Sequence, residues 1–157
     1  MIALLKLKNW GSLCGALFFA LSLPAHAINW QERYSKYKDE IELLKPLEGC
    51  LSRGGESILH FNKEGKSGGK KLLVLSLLHG NELPSGDVGF RWIKRLARLS
   101  PSNSWLIIPV ANPDAVNSLS RTNKNGIDLN RHFPTKDWDA EAHKYWKKLG
   151  GGANKFP

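Results

Sequence analysis

One uninterrupted apolar run constrains the fold of this chain more than any other stretch. It covers residues 72–78 and stops at His79, which is followed by Gly80, Glu82 and Pro84. An apolar run without alternation predicts a strand covered on both faces, as in a parallel sheet between layers of helices. The position just after such a strand is where ligands bind in open α/β sheets. The run therefore predicts a buried strand that ends in two candidate metal ligands.

The first 27 residues have the pattern of an export signal rather than of folded structure. Two lysines form a short positive region, residues 11–23 an apolar core, and residues 25–27, Ala-His-Ala, a small-x-small cleavage site. The apolar core is too short to span a bilayer as a helix. We therefore predict a signal peptide over 1–27, one domain over 28–157, and an exported, periplasmic protein with no stable membrane insertion. An uncleaved membrane anchor is the alternative.

The chain stays basic after the signal is removed. Its 130 residues carry a formal charge of +7, because the signal takes Lys6 and Lys8 from the +9 of the whole sequence. In an exported protein this excess suits an anionic envelope polymer or acidic peptides, and no nucleic-acid-binding motif accompanies it. Cys50 is the one cysteine left in the mature sequence, so we expect no intrachain disulfide and a structural, partly buried thiol.

Hydrophobic spacing predicts two amphipathic helices. Apolar and aromatic residues recur every three or four positions over 29–44 and again over 84–99. Pro46 and Gly49 are expected to end the first helix. The aromatic residues of that helix are interpreted as a stripe that packs on the core.

Shorter apolar segments predict the remaining strands. Residues 57–61 and 104–110 have strand patterns, and a polar turn over 62–69 suggests that the first of them forms a hairpin with the run at 72–78. The order strand, helix, strand from 72 to 110 implies a right-handed parallel crossover. The fold class is therefore α/β, with a mixed, largely parallel sheet flanked by helices.

The polar residues at the ends of the strands fit metal chemistry. Metal catalysis on an amide needs an ion held by three protein groups, with one position left for water. His79 and Glu82 can supply two ligands, and Asp128 is a candidate for holding the other ring nitrogen of His79. Taken singly, each of these residues fits a surface ion pair or a turn better than it fits a metal site.

Two arginines in the loop 121–131 could bind and polarise a charged substrate. Arg121 could polarise the scissile carbonyl and stabilise the developing oxyanion. Asn130 and Arg131 together offer a planar clamp for a carboxylate, a fork that Arg provides and Lys does not. The alternative for each residue is again an ion pair or a turn, and it is their joint occurrence that favours a site.

These motifs, in this order, resemble a known family. His79-x-x-Glu82 is followed by Asn-Pro-Asp at 112–114, by Arg121, and by Asn-Gly-Ile-Asp-Leu-Asn-Arg at 125–131. From about residue 70 onward the chain is similar to the zinc carboxypeptidases, the carboxypeptidase A-like metallopeptidases. The amino-acid sequence of the last segment is most similar to that of the bacterial branch of the family, which trims peptidoglycan peptides and includes murein peptide amidases.

The resemblance implies a zinc carboxypeptidase-like α/β/α sandwich with Zn²⁺ as cofactor. It makes His79 and Glu82 zinc ligands and Asp128 the partner of His79. It implies a peptide substrate with a free carboxylate, above all a cell-wall peptide, and no nucleic acid. Both a C-terminal residue and the γ-D-glutamyl bond to diaminopimelate stay open as the site of cleavage.

The same resemblance assigns the loop residues. It makes Arg121 the oxyanion stabiliser and Asn130 with Arg131 the clamp for the substrate carboxylate. One local difference exists, because the family usually has Asn after the Asn-Arg pair and here His132 stands there.

Part of the family's machinery is not evident in the sequence. The family has a third zinc ligand, a histidine, and a glutamate general base much further along, on strands that complete the sheet. Here 75 residues follow Glu82, and their only histidines, His132 and His143, are not in strand-like contexts. We therefore expect the front part of a truncated enzyme. A non-catalytic, carboxylate-recognising wall-peptide binder and an inactive fragment are the alternatives.

Overall fold

The structure, a computed structural model, describes residues 28–133 and positions 136, 138, 140, 141 and 144. The predicted signal peptide and His143 lie outside the described residues. In the part of the chain that is described, no helix is long and apolar enough to cross a membrane.

The N-terminal segment predicted as one helix is three short helical pieces. They are α1 (Trp30–Arg33), a 3₁₀ turn (Ser35–Tyr37) and α2 (Lys38–Ile41). Asn29 begins α1, because its side chain accepts a hydrogen bond from the Glu32 N–H at 2.8 Å. Trp30, Tyr34 and Tyr37 are all buried, so the prediction of an aromatic stripe on the core is confirmed.

Four strands form one sheet in the order β1-β2-β4-β3. They are β1 (Lys45–Leu51), β2 (Ser57–Lys63), β3 (Lys71–Leu75) and β4 (Ser104–Ile108). β3 and β4 pair in parallel, whereas β1 with β2 and β2 with β4 are antiparallel. The mixed α/β class and the parallel pair of the crossover are confirmed, but parallel pairing does not dominate the described part of the sheet.

Two predictions about the strands are wrong. β2 and β3 do not form a hairpin, because β4 lies between them, with Ile107 opposite Phe61 and Leu106 opposite Leu73. β1 was not predicted at all, and Pro46 lies inside it rather than ending a helix. Six of the seven residues of β1 are exposed, so the strand has no apolar alternation to reveal it.

The helix that follows β3 forms the core with the sheet. α3 (Leu83–Ala97) begins with Pro84 in its first turn and agrees closely with the predicted helix. Phe90 is fully buried, and its ring centroid lies 5.2 Å from that of Tyr34 and 5.1 Å from that of Tyr37. Ile93 and Ile107 belong to the same buried cluster. Two short elements complete the described chain, α4 (Pro113–Ser118) and a 3₁₀ turn (Leu129–Arg131).

β3 is an edge strand that is covered on one face. Val74 packs against the core, whereas Leu73 on the other face is 60% exposed. The prediction that both faces are covered is therefore wrong at Leu73. Cys50 in β1 is also exposed, contrary to the expected partly buried thiol.

Gly86 lets α3 approach the N-terminal helical segment closely. A Cβ at this position would lie 2.5 Å from the Tyr34 Oη and 2.6 Å from the Leu77 Cδ1. The Tyr34 hydroxyl donates a hydrogen bond to the Leu83 carbonyl at 2.8 Å. Burial, reinforced by the charge of Asp87, raises the pKa of Tyr34 to about 12, so this donor keeps its proton at any ordinary pH.

We expect Gly86→Ala to lower the free energy of unfolding by about 1–3 kcal/mol, because the added methyl group overpacks this contact. The higher helix propensity of alanine, worth about 1 kcal/mol, offsets only part of that cost. Val88→Ala is the matched control in the same helix, since Val88 is 53% exposed. Urea unfolding followed by circular dichroism measures both. A Gly86→Ala variant as stable as the wild type would show that α3 does not pack this closely.

Candidate metal centre

Buried Asn112 holds the ends of β3 and β4 together. Its N–H donates to the Leu77 carbonyl at 3.1 Å and its Nδ2 donates to the Leu78 carbonyl at 3.0 Å. Its Oδ1 accepts the Ala115 N–H at 3.2 Å and thereby begins α4. The first turn of α4 is therefore tied to the residues just before His79.

The backbone around His79 has no space for a larger residue at position 80. A Cβ on Gly80 would lie 1.8 Å from the Ala115 carbonyl oxygen, and the Gly80 N–H donates to Ser120 at 2.7 Å. Leu77 has a left-handed backbone with φ 52°, which is rare for a leucine. These contacts place His79 beside the loop that follows α4.

The buried imidazole of His79 lies between two carboxylates. Its Nδ1 is 3.0 Å from Glu82 Oε1, and its Nε2 is 2.9 Å from Asp128 Oδ1. A neutral imidazole has one N–H, so it can donate to only one of two ionised carboxylates. The other ring nitrogen then faces an oxygen lone pair, which is favourable only if a proton or a metal cation lies between them.

Asp128 is the better anchored of the two carboxylates beside His79. Burial alone would raise the pKa of this carboxyl, but hydrogen bonds from His79, the Asn130 N–H and Arg121 together lower it below its usual value. Arg121 Nε donates to Asp128 Oδ2 at 2.8 Å. Ionised Asp128 can accept a hydrogen bond from an Nε2–H, and in that tautomer the Nδ1 lone pair faces Glu82, whose side chain is 57% exposed.

The residues predicted to hold a substrate carboxylate follow directly after Asp128. The Asn130 N–H donates to Asp128 Oδ1 at 3.0 Å, and this bond starts the 3₁₀ turn. Arg131 Nη1 donates to the Asn130 carbonyl at 3.0 Å, and the Trp138 indole N–H donates to the Arg131 carbonyl. The ring of His132 lies 5.5 Å from that of Trp138. The structure thus brings all six predicted site residues into one continuous group.

Asp114 is a positioning residue whose role sequence reasoning missed. Its carboxylate accepts from Ser52 Oγ at 2.7 Å, from the Gly54 N–H at 3.1 Å and from the Lys124 N–H at 3.3 Å. It therefore ties the β1–β2 turn to the loop that leads to Asp128. The Asn-Pro-Asp motif was noted only as part of a pattern, although Asn followed by Pro at a strand end also signals a helix start.

The described residues contain no group of three His, Cys, Asp or Glu side chains that could hold a metal ion. His79 and Glu82 therefore stand as a pair, and the third ligand that the resemblance implies is not among them. A pair of this kind binds zinc less tightly than a three-residue site does.

A family model matches residues 68–149, a range that contains every candidate site residue. It describes the succinylglutamate desuccinylase/aspartoacylase catalytic domain. No curated protein matches the chain in sequence.

Several solved structures share the fold. Carboxypeptidase A from Helicoverpa armigera is 24% identical with a TM-score of 0.55, over 69% of this chain and 34% of that one. A metallo-carboxypeptidase from Burkholderia cenocepacia is 18% identical with a TM-score of 0.55, over 77% and 38%. The murein-tripeptide amidase MpaA of Escherichia coli O157 is 24% identical over 61% and 44%, at a TM-score of 0.43 that is too low to support a shared fold. The predicted carboxypeptidase-like fold is confirmed, and the chain spans less than half the length of each of these proteins.

We expect Asp128→Asn to make stability less dependent on pH at the acid end. A carboxyl whose pKa is lowered by folding stabilises the protein fully above its ordinary value of 3.8 and loses this effect as pH falls through the lowered value. Loss of its charged hydrogen bonds should cost about 1–3 kcal/mol at pH 7 and progressively less below pH 3.8.

Urea unfolding from pH 7 down to pH 2 tests this expectation, with Asp39→Asn, at an exposed acid of α2, as the control. If the difference between wild type and Asp128→Asn were the same at every pH, the charge of Asp128 would not be what holds the loop.

Proposed function

This chain belongs to the succinylglutamate desuccinylase/aspartoacylase catalytic-domain family, and we propose that it is the front part of a zinc-dependent hydrolase that cleaves an amide bond near a free carboxylate. The observation that carries the proposal is the His79 imidazole, whose Nε2 is held by Asp128 while its Nδ1 faces Glu82 at 3.0 Å. In this arrangement the Nδ1 lone pair of His79 and the carboxylate of Glu82 face each other. Two ligands of the same cation have this relation.

The donor set fits zinc. Imidazole nitrogen and carboxylate oxygen each bond Zn²⁺ at about 2.0–2.2 Å, so two atoms 3.0 Å apart can reach the same ion. Bound there, zinc would supply an acidified water and polarise the scissile carbonyl. His79 and Glu82 would hold it, and Asp128 would keep the imidazole in the tautomer that can bind metal.

The neighbouring polar residues Arg121, Asn130 and Arg131 have separate roles in this proposal. Arg121 already contacts Asp128 through Nε, and its terminal nitrogens make no hydrogen bond within the described residues, so they can stabilise an oxyanion. Asn130 and Arg131 would hold the substrate carboxylate, which fixes the distance between that carboxylate and the bond to be cut.

We further propose that the substrates are peptides with a free carboxylate, above all cell-wall peptides. The basic charge of +7 outside residues 1–27 favours anionic substrates of this kind. Export to the periplasm, directed by the signal pattern at 1–27, would bring the chain to the cell wall that contains such peptides. Succinylglutamate, named in the family's description, is the small acylated amino acid against which such peptides should be compared.

A second candidate is a non-catalytic binder of carboxylate-bearing wall peptides. It is favoured by the absence of a third metal ligand among the described residues. In that case Arg131 would still bind a carboxylate, but no water would be activated for attack.

Zinc titration of the full chain, in competition with a coloured chelator, tests the metal assignment. We expect one weakly bound ion that His79→Ala abolishes and that Asp128→Asn weakens by about 10–100-fold, because Asp128 holds the imidazole in place. His60→Ala, which changes a histidine of β2 away from the site, should leave binding unchanged. If His79→Ala bound zinc as well as the wild type did, the assignment would be wrong.

Binding of the peptide L-alanyl-γ-D-glutamyl-diaminopimelate tests the clamp. We expect Arg131→Ala to weaken it about 10-fold or more, and Arg131→Lys to restore little, because a lysine lacks the planar fork. The matched control is Arg53→Gln, which removes a charge in the β1–β2 turn. Calorimetric titration with the peptide, its amide derivative and succinylglutamate measures the preference. Equal binding of the acid and the amide would contradict the clamp.

Release of diaminopimelate from the same peptide, with and without zinc, separates the two candidate functions. Turnover that needs zinc and His79 supports the hydrolase. Peptide binding that is independent of zinc and is accompanied by no turnover supports the binder.

A further inference from the structure

A second concave surface lies at the opposite end of the sheet from His79. It is a groove of about 670 Å³ between the C-terminal half of α3 and the start of β4. The candidate metal ligands follow the end of β3, whereas Trp105 of the groove is near the start of the parallel strand β4. Since a five-residue strand is about 17 Å long, the groove is separate from the candidate metal centre.

The floor of the groove is apolar and aromatic. The rings of Trp92 and Trp105 lie 5.0 Å apart at an angle of 51°. Trp92 is 43% exposed and Leu99 is 44% exposed, so this floor is open to solvent. Pro101 continues the apolar lining. A partly exposed indole of this kind can pack against the flat or apolar face of a ring.

The sides of the groove are cationic. Arg91 and Arg95 line it one helical turn apart. The Arg91 side chain is hydrogen-bonded to Tyr37 and attracted by Asp87, whereas Arg95 forms no ion pair within the described residues. The backbone of the turn 64–70 runs alongside, where the Lys66 N–H donates to the Pro101 carbonyl and the Lys70 N–H donates to Asn103 Oδ1. Neither of these two lysines belongs to the lining of the groove.

The nearby acids are already engaged. Asp87 pairs with Lys36 at 2.7 Å, and Glu64 accepts hydrogen bonds from Asn62 at 3.0 Å and from Ser104 at 3.2 Å. Neither of these acids lines the groove, so the charge within its lining comes from arginines, and Arg95 is the one that no acid pairs with in the described part of the chain.

Polar groups complete the rim. Ser102 lines the groove and has no side-chain hydrogen bond among the described residues. Asn103 uses its oxygen for Lys70, and its amide nitrogen makes no hydrogen bond in the same part of the chain. Both can therefore bond to hydroxyl groups of a ligand.

We propose that this groove binds an acidic glycan, a chain of sugar rings that carry carboxylates. One face of a sugar ring is made of C–H groups and suits the partly exposed indole of Trp92. Its hydroxyl groups suit Ser102 and Asn103, and its carboxylate suits the guanidinium group of Arg95. The concave shape favours a ligand that enters the groove over a membrane, into which exposed apolar side chains would have to insert. The proposal does not depend on the hydrolase activity.

The test is titration of the full chain with a hexamer of galacturonic acid, followed by tryptophan fluorescence and calorimetry in the presence of EDTA. The fully methyl-esterified hexamer is the neutral control with the same rings. We expect the acidic hexamer to bind at least about 10-fold more tightly than the ester, and its affinity to fall with added salt.

Variants locate the binding. Trp92→Ala should weaken it about 10-fold or more, and Trp92→Phe should restore a large part, because a ring face is kept. Arg95→Gln should weaken the acidic hexamer but not the ester, whereas Arg53→Gln, at the other end of β2, should change neither. Arg131→Ala should also leave it intact, which distinguishes this groove from the proposed clamp. Circular dichroism establishes that each variant is folded.

Several outcomes would overturn the proposal. These are the absence of binding, equal affinity for acid and ester, and binding that Trp92→Ala does not change. Tighter binding of an oligothymidylate of the same length, or of vesicles of phosphatidylcholine with phosphatidylglycerol, would assign the groove to nucleic acid or to a membrane instead.

Discussion

The candidate site depends on the buried amide of Asn112. Only 2% of its surface is exposed. Its amide nitrogen donates to the Leu78 carbonyl, just after β3, and its amide oxygen accepts the Ala115 N–H and so caps α4. Burial of this amide without its partners would lower the free energy of unfolding by about 1–3 kcal/mol. These hydrogen bonds therefore stabilise the register of the ends of β3 and β4. That register places His79 next to the loop that carries Asp128. The position of the candidate site therefore rests on hydrogen bonds of Asn112 in which neither candidate metal ligand takes part.

The local elements nearest the site could be predicted from the sequence. β3 and β4 are apolar runs bounded by turn residues, and α3 has helical spacing after Pro84, so short-range patterns were sufficient. The contact between His79 and Asp128 spans 49 residues, and no local pattern encodes it. The chemistry of a metal-binding histidine made Asp128 one candidate partner, and the ordered motifs, which resemble those of a family with this pair, favoured it.

The errors come from contacts that local patterns do not contain. The predicted hairpin assumed that strands adjacent in sequence pair with each other, but the partner of both β2 and β3 is β4, some forty residues later. β1 was missed because it is mostly exposed and polar, so that backbone pairing with β2 defines it rather than burial. The apolar run 72–78 predicts that Leu73 is buried, but Leu73 is exposed. Its burial would need a layer that covers the second face of the sheet, and the sequence of the run does not specify one. Asp114 was undervalued for a similar reason, because two of its partners are about sixty residues away.

One carboxylate, Asp128, serves both the imidazole of His79 and the guanidinium of Arg121. Any anion that draws Arg121 away leaves the negative charge of Asp128 more fully to the imidazole. If the proposed site holds a cation beside His79, thermodynamic reciprocity requires that the cation change the affinity of that anion by the same factor by which the anion changes the affinity of the cation. The two halves of the proposed site would then be energetically coupled through a single side chain.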